Sequence, residues 1–534
     1  MLQGFLRVLD ASQMDRLHAG ALTVLERTGL QIQGEFLLRA LADAGCRVDF
    51  AARRAWFPPE LVERQVAAQR DRYRMVRSSL CYPFCRELPP DGVAVPDRFL
   101  VDYGFGTPWI FDWPQRRYRP PTVQDQIDAI QLGNALDCVA AVNAPFICSD
   151  FDPRTENIES ARLLLLHTRK PGWVGTSSGA QVKYLAELAA LAVGGDRERL
   201  RTQPPIIVTA YCTTSPLKLD TRSCEVLEQA LKYGFPVNFA PMPILGATSP
   251  ITPAGSAIVA AAEILGCLTA TTLIQPERFY FSTSIAAEMD MRTTQVCFAT
   301  PAAILTDAAL HQLFRSKYGL VHNVEPAYVE AKVPGIQAAM MKVYRQMALG
   351  ATVSLPLAIG ALDSAAVFSP TQAMIDLEVN EALYKFYAGM EVSEETMGLD
   401  LISEMEFCSQ RTYLETEHTA RHFRQVGWLP KLMDRTYCDH ESPAVVSDET
   451  LLDRADQAWR KLVAQGMPAE VYGGASGDDP ELVRSIRQRN KAELEGQLSV
   501  LRITELHDSG DFRLWLELSR LAQEDPAQAE QRYA

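Results

Sequence analysis

Positive charge is in short supply in this chain. Its 52 Lys and Arg face 66 Asp and Glu, which leaves a net charge of −14 with the 8 His neutral. Such a surface argues against nucleic acid and anionic membranes as partners and tolerates cationic ligands. The sequence also lacks any CxxC pair, and its 11 cysteines are odd in number and scattered from Cys46 to Cys438. A disulfide scaffold is therefore excluded and a reducing, cytoplasmic compartment expected. The N-terminal stretch MLQGFLRVLDASQ carries Asp10 where an export signal needs a long apolar run, so export is not expected. The nearest approach to a membrane span, residues 254–274, has Glu263 in its middle and is expected to be a buried helix.

Core material is ample, with 47% hydrophobic and 22% charged residues over 534 positions. That length suits three or four units, or one large domain with extensions. Small helices are expected up to about residue 95. Asp10 opens an amphipathic run through Leu17, Ala21, Leu22 and Leu25 that Gly29 stops, a second helix runs from Phe36 to Gly45, and a third starts at Pro58-Pro59. Residues 98–118 alternate aromatic and polar side chains like a β-ribbon.

From residue 122 the pattern becomes strand then helix, repeatedly. Expected strands are 139–147, 173–177, 206–212, 237–240, 279–283, 320–324 and 352–355, nearly continuous apolar runs of the kind parallel strands show when both faces are buried. Seven is one short of a TIM (β/α)8 barrel, and the missing strand is expected near Gly104 or after Ile359. No GxGxxG follows any of these strands, which favours the barrel over a dinucleotide-binding open sheet. The expected organisation is an N-terminal extension over 1–121, a barrel over 122–400 and a helical C-terminal extension over 401–534.

Barrels place their chemistry at the C-terminal strand ends. There the stretch Asn238 to Gly255 has four prolines and two glycines, a stiff loop suited either to capping the barrel or to lining its cavity. Aromatics gather at the same ends, namely Tyr211, Phe239, Tyr280 and Phe281, with acids following at Glu288, Asp290, Glu325 and Glu330. A quaternary ammonium has no N–H to donate and must be held by ring faces and diffuse negative charge, so these residues are candidates for a cation cage. His322 and Glu330 are candidates for orienting a substrate, and Arg292 for meeting a carboxylate.

Competing motifs are weaker. Gly175 to Gly179 matches GxSxG after a strand, which offers Ser177 as a hydrolase nucleophile, but nothing supplies an HGGG-type oxyanion loop. His418 and His422 lie one helical turn apart without the glutamate of HExxH, and Cys81 and Cys85 read as idle thiols, so no bound metal is expected.

The loop APMPILGATSPITPAGS, the Ser215-Pro216-Leu217 turn, HTARHFRQVGWLPKLMDR and the N-terminal ALTVLERTGLQIQGEFLLRALADAGCRVD together resemble the trimethylamine methyltransferase family from about residue 10 to about residue 460. The resemblance implies a TIM barrel that transfers a methyl group to Co(I) of a corrinoid (cobalamin), carried by a cognate protein or supplied free. Trimethylamine-specific members carry pyrrolysine in a segment resembling Glu330 to Ala338. Here standard residues fill it, with Gly335 or a close neighbour such as Gln337 at the equivalent place. That resembles the non-pyrrolysine branch, which demethylates quaternary amines such as glycine betaine. A homo-oligomer is expected, and a homologue that binds a quaternary ammonium without catalysis stays open. The tail beyond Gly473 is longer than the resemblance accounts for.

Overall fold

The structure is a computed structural model that describes residues 7–76, 101–104, 106–151, 153, 155–168, 170, 172–176, 178–192, 205–208, 213–325, 328–349, 357–405, 411–437 and 447–465. Eight short strands organise it: β1 (Val101–Tyr103), β2 (Val139–Val142), β3 (Trp173–Val174), β4 (Ile207–Val208), β5 (Asn238–Phe239), β6 (Phe281–Ser284), β7 (His322–Val324) and β8 (Leu357–Ile359). A helix follows each in turn: α1 (Val123–Ala135), α2 (Glu156–His167), α3 (Gly179–Ala192), α4 (Thr221–Tyr233), α5 (Pro253–Ile274), α6 (Pro301–Gln312), α7 (Ile336–Leu349) and α8 (Pro370–Ala388).

All pairings among these strands are parallel. β8, β1 and β2 form one ladder, β3 and β4 a second, and β5, β6 and β7 a third. The first two are linked by Gly172 N–H to the Val142 carbonyl at 2.8 Å and Ala144 N–H to the Trp173 carbonyl at 2.9 Å. Among the described residues no ladder joins β4 to β5 or β7 to β8. Six expected strands recur here, the expected 352–355 lies outside the described residues, and β8 begins at Leu357. The strand missing from the sequence pattern is β1, beside Gly104. The expected ribbon is therefore corrected in its first half: Trp109–Asp112 pairs antiparallel with Arg117–Arg119, but Val101–Tyr103 joins the parallel set.

Local chemistry explains the element boundaries. Thr122 and Asp125 form a reciprocal capping box that starts α1, and Asp10 with Gln13 does the same for the helix Ala11–Arg27. Gly29 ends that helix at φ +73°, with the Ala55 carbonyl where a Cβ would stand, so only glycine fits. The N-terminal helices pack on α5, and the helix Pro59–Val76 lies across the N-terminal strand ends. There Tyr73 meets Ile207, Phe281 and Val321, and Gln69 bridges the Arg278 carbonyl and the Tyr280 N–H. α5 is long and apolar enough to cross a membrane but is mostly buried among its neighbours, as a core helix is. Its Glu263 is 0% exposed and accepts from Leu217 N–H at 2.7 Å and Ser215 Oγ at 2.8 Å. This ties α5 to the Ser215-Pro216-Leu217 turn. The Leu217 and Leu219 carbonyls then take the N–H groups of Gln31 and Gln33, which attaches the N-terminal sheet.

Candidate active site

The C-terminal strand ends carry the most elaborate loops. β5 and β6 extend into Ile244–Leu245 and Ala287–Met289, paired parallel, and Val296–Cys297 folds back antiparallel with Glu288 opposite Cys297. Past β8, Ala361–Leu362 and Val367–Phe368 form a hairpin whose second strand pairs with Trp109–Asp112. The segment 328–335, following β7, is laced between the two small sheets. The Val329 and Ala331 carbonyls accept from Ser364 and Asp363 N–H at 2.8 Å each, and the Lys332 carbonyl accepts from Tyr118 Oη at 2.7 Å. Lys332 Nζ pairs with the Asp363 carboxylate. Asp363, Ser364 and Ala365 all hold positive φ (46°, 57° and 64°), a left-handed turn without a glycine. Such a turn is strained and persists because these contacts hold it.

Glu330 occupies the centre of this lacing. It is 8% exposed, its Oε1 accepts from Ala299 N–H at 2.8 Å, and its Oε2 is buried with no hydrogen-bond donor among the described residues. A buried carboxylate oxygen left without a donor is costly, and a cation arriving there would relieve it. More negative charge lies close by. The Cys297 thiol is pushed up to about 11 by burial first, then by Glu330, Asp290 and Glu288, with Lys332 opposing them. Beside this group Phe298 and Tyr328 meet edge to face at 5.3 Å, in an apolar cluster with Ile244, Ile285, Ala287 and Val296. Carboxylates thus surround Cys297, with the ring pair packed in the adjoining apolar cluster, and nothing in that arrangement activates a nucleophile: a thiol at about 11 stays protonated at neutral pH.

Of the residues expected to form a site, Glu288 and Glu330 come together around Cys297. The rings do not. Phe239 and Tyr280 lie 6.0 Å apart in the main core, 0% and 1% exposed, and Tyr280 Oη donates to the Gln275 carbonyl of the segment following α5 at 3.1 Å. Phe281 starts β6 and packs with Tyr73, at the opposite strand ends from the loops. The alternation of side chains along a strand decides this: Ser282 and Ser284 face the helices, where they meet His322 and Asp307. His322 is corrected by the same rule. It is 0% exposed, with Nδ1 2.8 Å from Ser282 Oγ and Nε2 3.2 Å from Ser284 Oγ, and it stacks on Phe314. Burial, then His311 and Arg315, hold it well below its ordinary range, so it is neutral and away from the loops.

Arg292 projects into solvent with its side chain 88% exposed, paired to Asp290 two residues back. Gly335, at φ +136°, gives its N–H to Gln372 Oε1 and precedes α7, while Gln337 is on the exposed face of α7. Tyr211, Ser177, Cys81 and Cys85 lie outside the described residues. His418 and His422 have ring centroids 4.5 Å apart, with Glu395 3.5 Å from His422 Nε2, and among the described residues no group of three or more His, Cys, Asp or Glu is arranged to hold a metal. The residues that the sequence reading missed are Cys297, Phe298, Tyr328 and Lys332. Their signal was there in part, since Tyr328, Glu330 and Lys332 recur at alternate positions of an extended segment.

Comparison with known proteins identifies the family of the chain. Residues 3–489 match the family described as trimethylamine methyltransferase (MTTB). Trimethylamine methyltransferase MttB of Desulfitobacterium hafniense (strain DSM 10664 / DCB-2) is 27% identical over 456 residues, covering 84% of this chain and 88% of its own. Glycine betaine methyltransferase of Desulfitobacterium hafniense (strain Y51) is 22% identical over 481 residues, covering 89% and 94%. Among solved structures, the Methanosarcina barkeri monomethylamine methyltransferase MtmB aligns at a TM-score of 0.45 and 12% identity, covering 86% of this chain and 88% of that one.

Proposed function

Because the chain belongs to the trimethylamine methyltransferase family, we propose that it is a methyltransferase moving a methyl group from a betaine-like quaternary amine to the Co(I) of a corrinoid held by a separate protein. The observation that carries this reading is the buried Oε2 of Glu330, without a donor among the described residues, with Glu288 and Asp290 nearby. A quaternary ammonium offers charge without a hydrogen bond, and such a cation suits a carboxylate oxygen that no N–H of the described residues approaches. In this reading Phe298 and Tyr328, whose rings pack together in the adjoining apolar cluster, supply ring surface for the cation.

The chemistry asks for positioning rather than proton transfer. The acceptor supplies the attacking electron pair, and the carbon–nitrogen pair departs on nitrogen, which leaves as a neutral tertiary amine. A neutral trimethylamine would instead need protonation or capture before its nitrogen could leave. The standard residues across 330–338 agree with the quaternary case. Holding the donor so that one methyl faces the acceptor, in a site drier than bulk water, is worth several kcal/mol in well-aligned reactions. In this reading Glu330 and Glu288 hold the ammonium. The corrinoid is a co-substrate delivered by its own protein, and the eight parallel strands close into a (β/α)8 barrel with segment 328–335 at its mouth. The strand–helix alternation and the β2–β3 bridging hydrogen bonds support that closure. A homo-oligomeric state draws support from Ile336, Met340, Tyr344 and Met347, exposed along one face of α7, and light scattering on the purified protein tests it.

Visible absorbance of reduced cobalamin, with and without glycine betaine, choline and trimethylamine, tests the reaction. A change from the reduced to the methylated spectrum with a quaternary donor is expected. Conversion of trimethylamine alone, or of none of the three, refutes the proposal. A ligand-dependent rise in melting temperature without conversion would assign the chain to binding only.

A further inference from the structure

The cation site has a support that lies deeper in the fold. Arg345, on α7, is 0% exposed, as is its ion-pair partner Asp307 on α6. Asp307 Oδ1 accepts from Ser284 Oγ at 2.7 Å and Ala286 N–H at 3.0 Å, so the pair is fixed to the end of β6, while Oδ2 meets Arg345 Nη2 at 2.8 Å. Arg345 then reaches the end of β7, where the Glu325 carbonyl accepts from Nε at 3.1 Å and Nη2 at 2.7 Å. One Nη1 N–H gives a 2.6 Å hydrogen bond to the Phe298 carbonyl. The N–H of that same peptide group, on Ala299, is the donor to Glu330 Oε1.

A trans peptide carries its C=O and N–H in opposite directions. The order is therefore guanidinium, carbonyl, N–H, carboxylate, in one line of hydrogen bonds each of which polarises the next. The guanidinium cannot turn, because its five N–H groups form a planar fork and the contacts above fix that plane. Among the described residues Glu330 is thereby held through Oε1 alone, which leaves Oε2 to a ligand.

We propose that Arg345 is a positioning residue for the cation site, aiming the Glu330 carboxylate through the single peptide group between Phe298 and Ala299. The inference rests on the reading of this place as a quaternary-amine site. Arg345's own charge is matched by Asp307, so its effect on a ligand passes through Glu330.

Calorimetric binding of choline and of its neutral isostere 3,3-dimethylbutan-1-ol tests this. The variant D307N/R345M removes both charges, and the amide it introduces in place of the Asp307 carboxylate keeps an oxygen for Ser284 and Ala286, which avoids leaving one buried ion alone. Its choline Kd is expected to rise about fivefold, the scale of one lost charge-assisted hydrogen bond, with the alcohol's Kd changing less than about twofold. In an E330Q background the same double substitution should leave the ratio of the two Kd values unchanged, since the coupled partner is gone. R345K, which keeps the charge but not the planar fork, should give an intermediate ratio, and it carries the comparison if D307N/R345M does not fold. Equal weakening of both ligands would mean general loosening and overturn the proposal, as would an undiminished effect in E330Q. A wild-type protein that fails to prefer choline over the alcohol overturns the amine reading itself, and the inference with it.

Discussion

Glu263 offers the sharpest test of how this fold handles buried charge. It stands mid-helix in α5 with no exposure, and burial raises its carboxyl to about 7 against the hydrogen bonds from Leu217 and Ser215 that oppose the rise. A carboxyl raised on folding binds its proton more tightly in the native state than in the unfolded chain. Stability is then fully present below the unfolded value near 4.5 and is lost as the pH climbs to about 7. At 1.36 kcal/mol per pH unit, the loss amounts to about 3 kcal/mol. E263Q has no proton to lose. Its amide oxygen can still accept from Leu217 N–H, and Ser215 Oγ can rotate to accept from the amide nitrogen. E263Q is thus expected to match the wild type near pH 5 and to exceed it by about 1–3 kcal/mol at pH 8. Scanning calorimetry at four pH values from 5 to 8 reads this as a melting-temperature gap that opens with pH. Parallel curves, or an E263Q protein less stable than wild type at pH 8, would show that hydrogen bonding outweighs desolvation and refute the reasoning.

Three further outcomes follow from the geometry. E330Q should weaken choline binding by about tenfold or more while leaving the neutral isostere within about twofold, measured by the same calorimetry. Cys297, with its thiol at about 11, should resist iodoacetamide at pH 8, and rapid alkylation detected by peptide mass spectrometry would contradict the packing of acids around it. Ala365→Gly should stabilise the protein by about 1 kcal/mol by relieving one left-handed position at φ 64°; a fall in melting temperature would mean that this methyl's contacts outweigh the strain.

The sequence made the architecture legible because parallel strands buried on both faces leave continuous apolar runs, and six of these fell where the runs lay. β1 was expected near Gly104 only as one of two places, because Val101–Tyr103 is embedded in an aromatic, alternating stretch whose period matches a ribbon, and its second half is one. Of the candidate site, only the grouping of acids was legible. Glu330 sits on an extended segment and Glu288 on a short strand beyond β6, where a charged side chain needs a reason to be near others, and that reason could be guessed from residue type. Rings give no such cue. Phe239, Tyr280 and Phe281 stand next to strand ends in sequence, but whether a strand side chain faces the helices, the strand ends below or the loops above depends on register, and a shift of one residue reverses it. His322 failed for the same reason. Spacing alone gave no hint of Arg345, because its partners Phe298, Asp307 and Glu325 come from three other elements.

That placement of buried cations bears on why the site can be acidic at all. α7 carries a second one, Lys342, whose Nζ meets Asp376 Oδ2 at 2.7 Å, and Asp376 also takes the N–H of Gly360 just after β8. One helix therefore presents a buried cation to each neighbouring helix, and each paired aspartate is hydrogen-bonded to a strand's C-terminal end. Each pair is neutral as a unit, so neither cancels the negative charge of Glu330, Glu288 and Asp290. What they contribute is rigidity at the two strand ends that flank segment 328–335. Breaking one pair by removing only its cation should cost about 3–5 kcal/mol, whereas removing both charges should cost much less. K342M should therefore melt well below K342M/D376N in the same buffer. Equal melting temperatures would mean that Asp376 is adequately held by Gly360 and Gln372 alone, and that α7 does not depend on its ion pairs to fix the strand ends beneath the site.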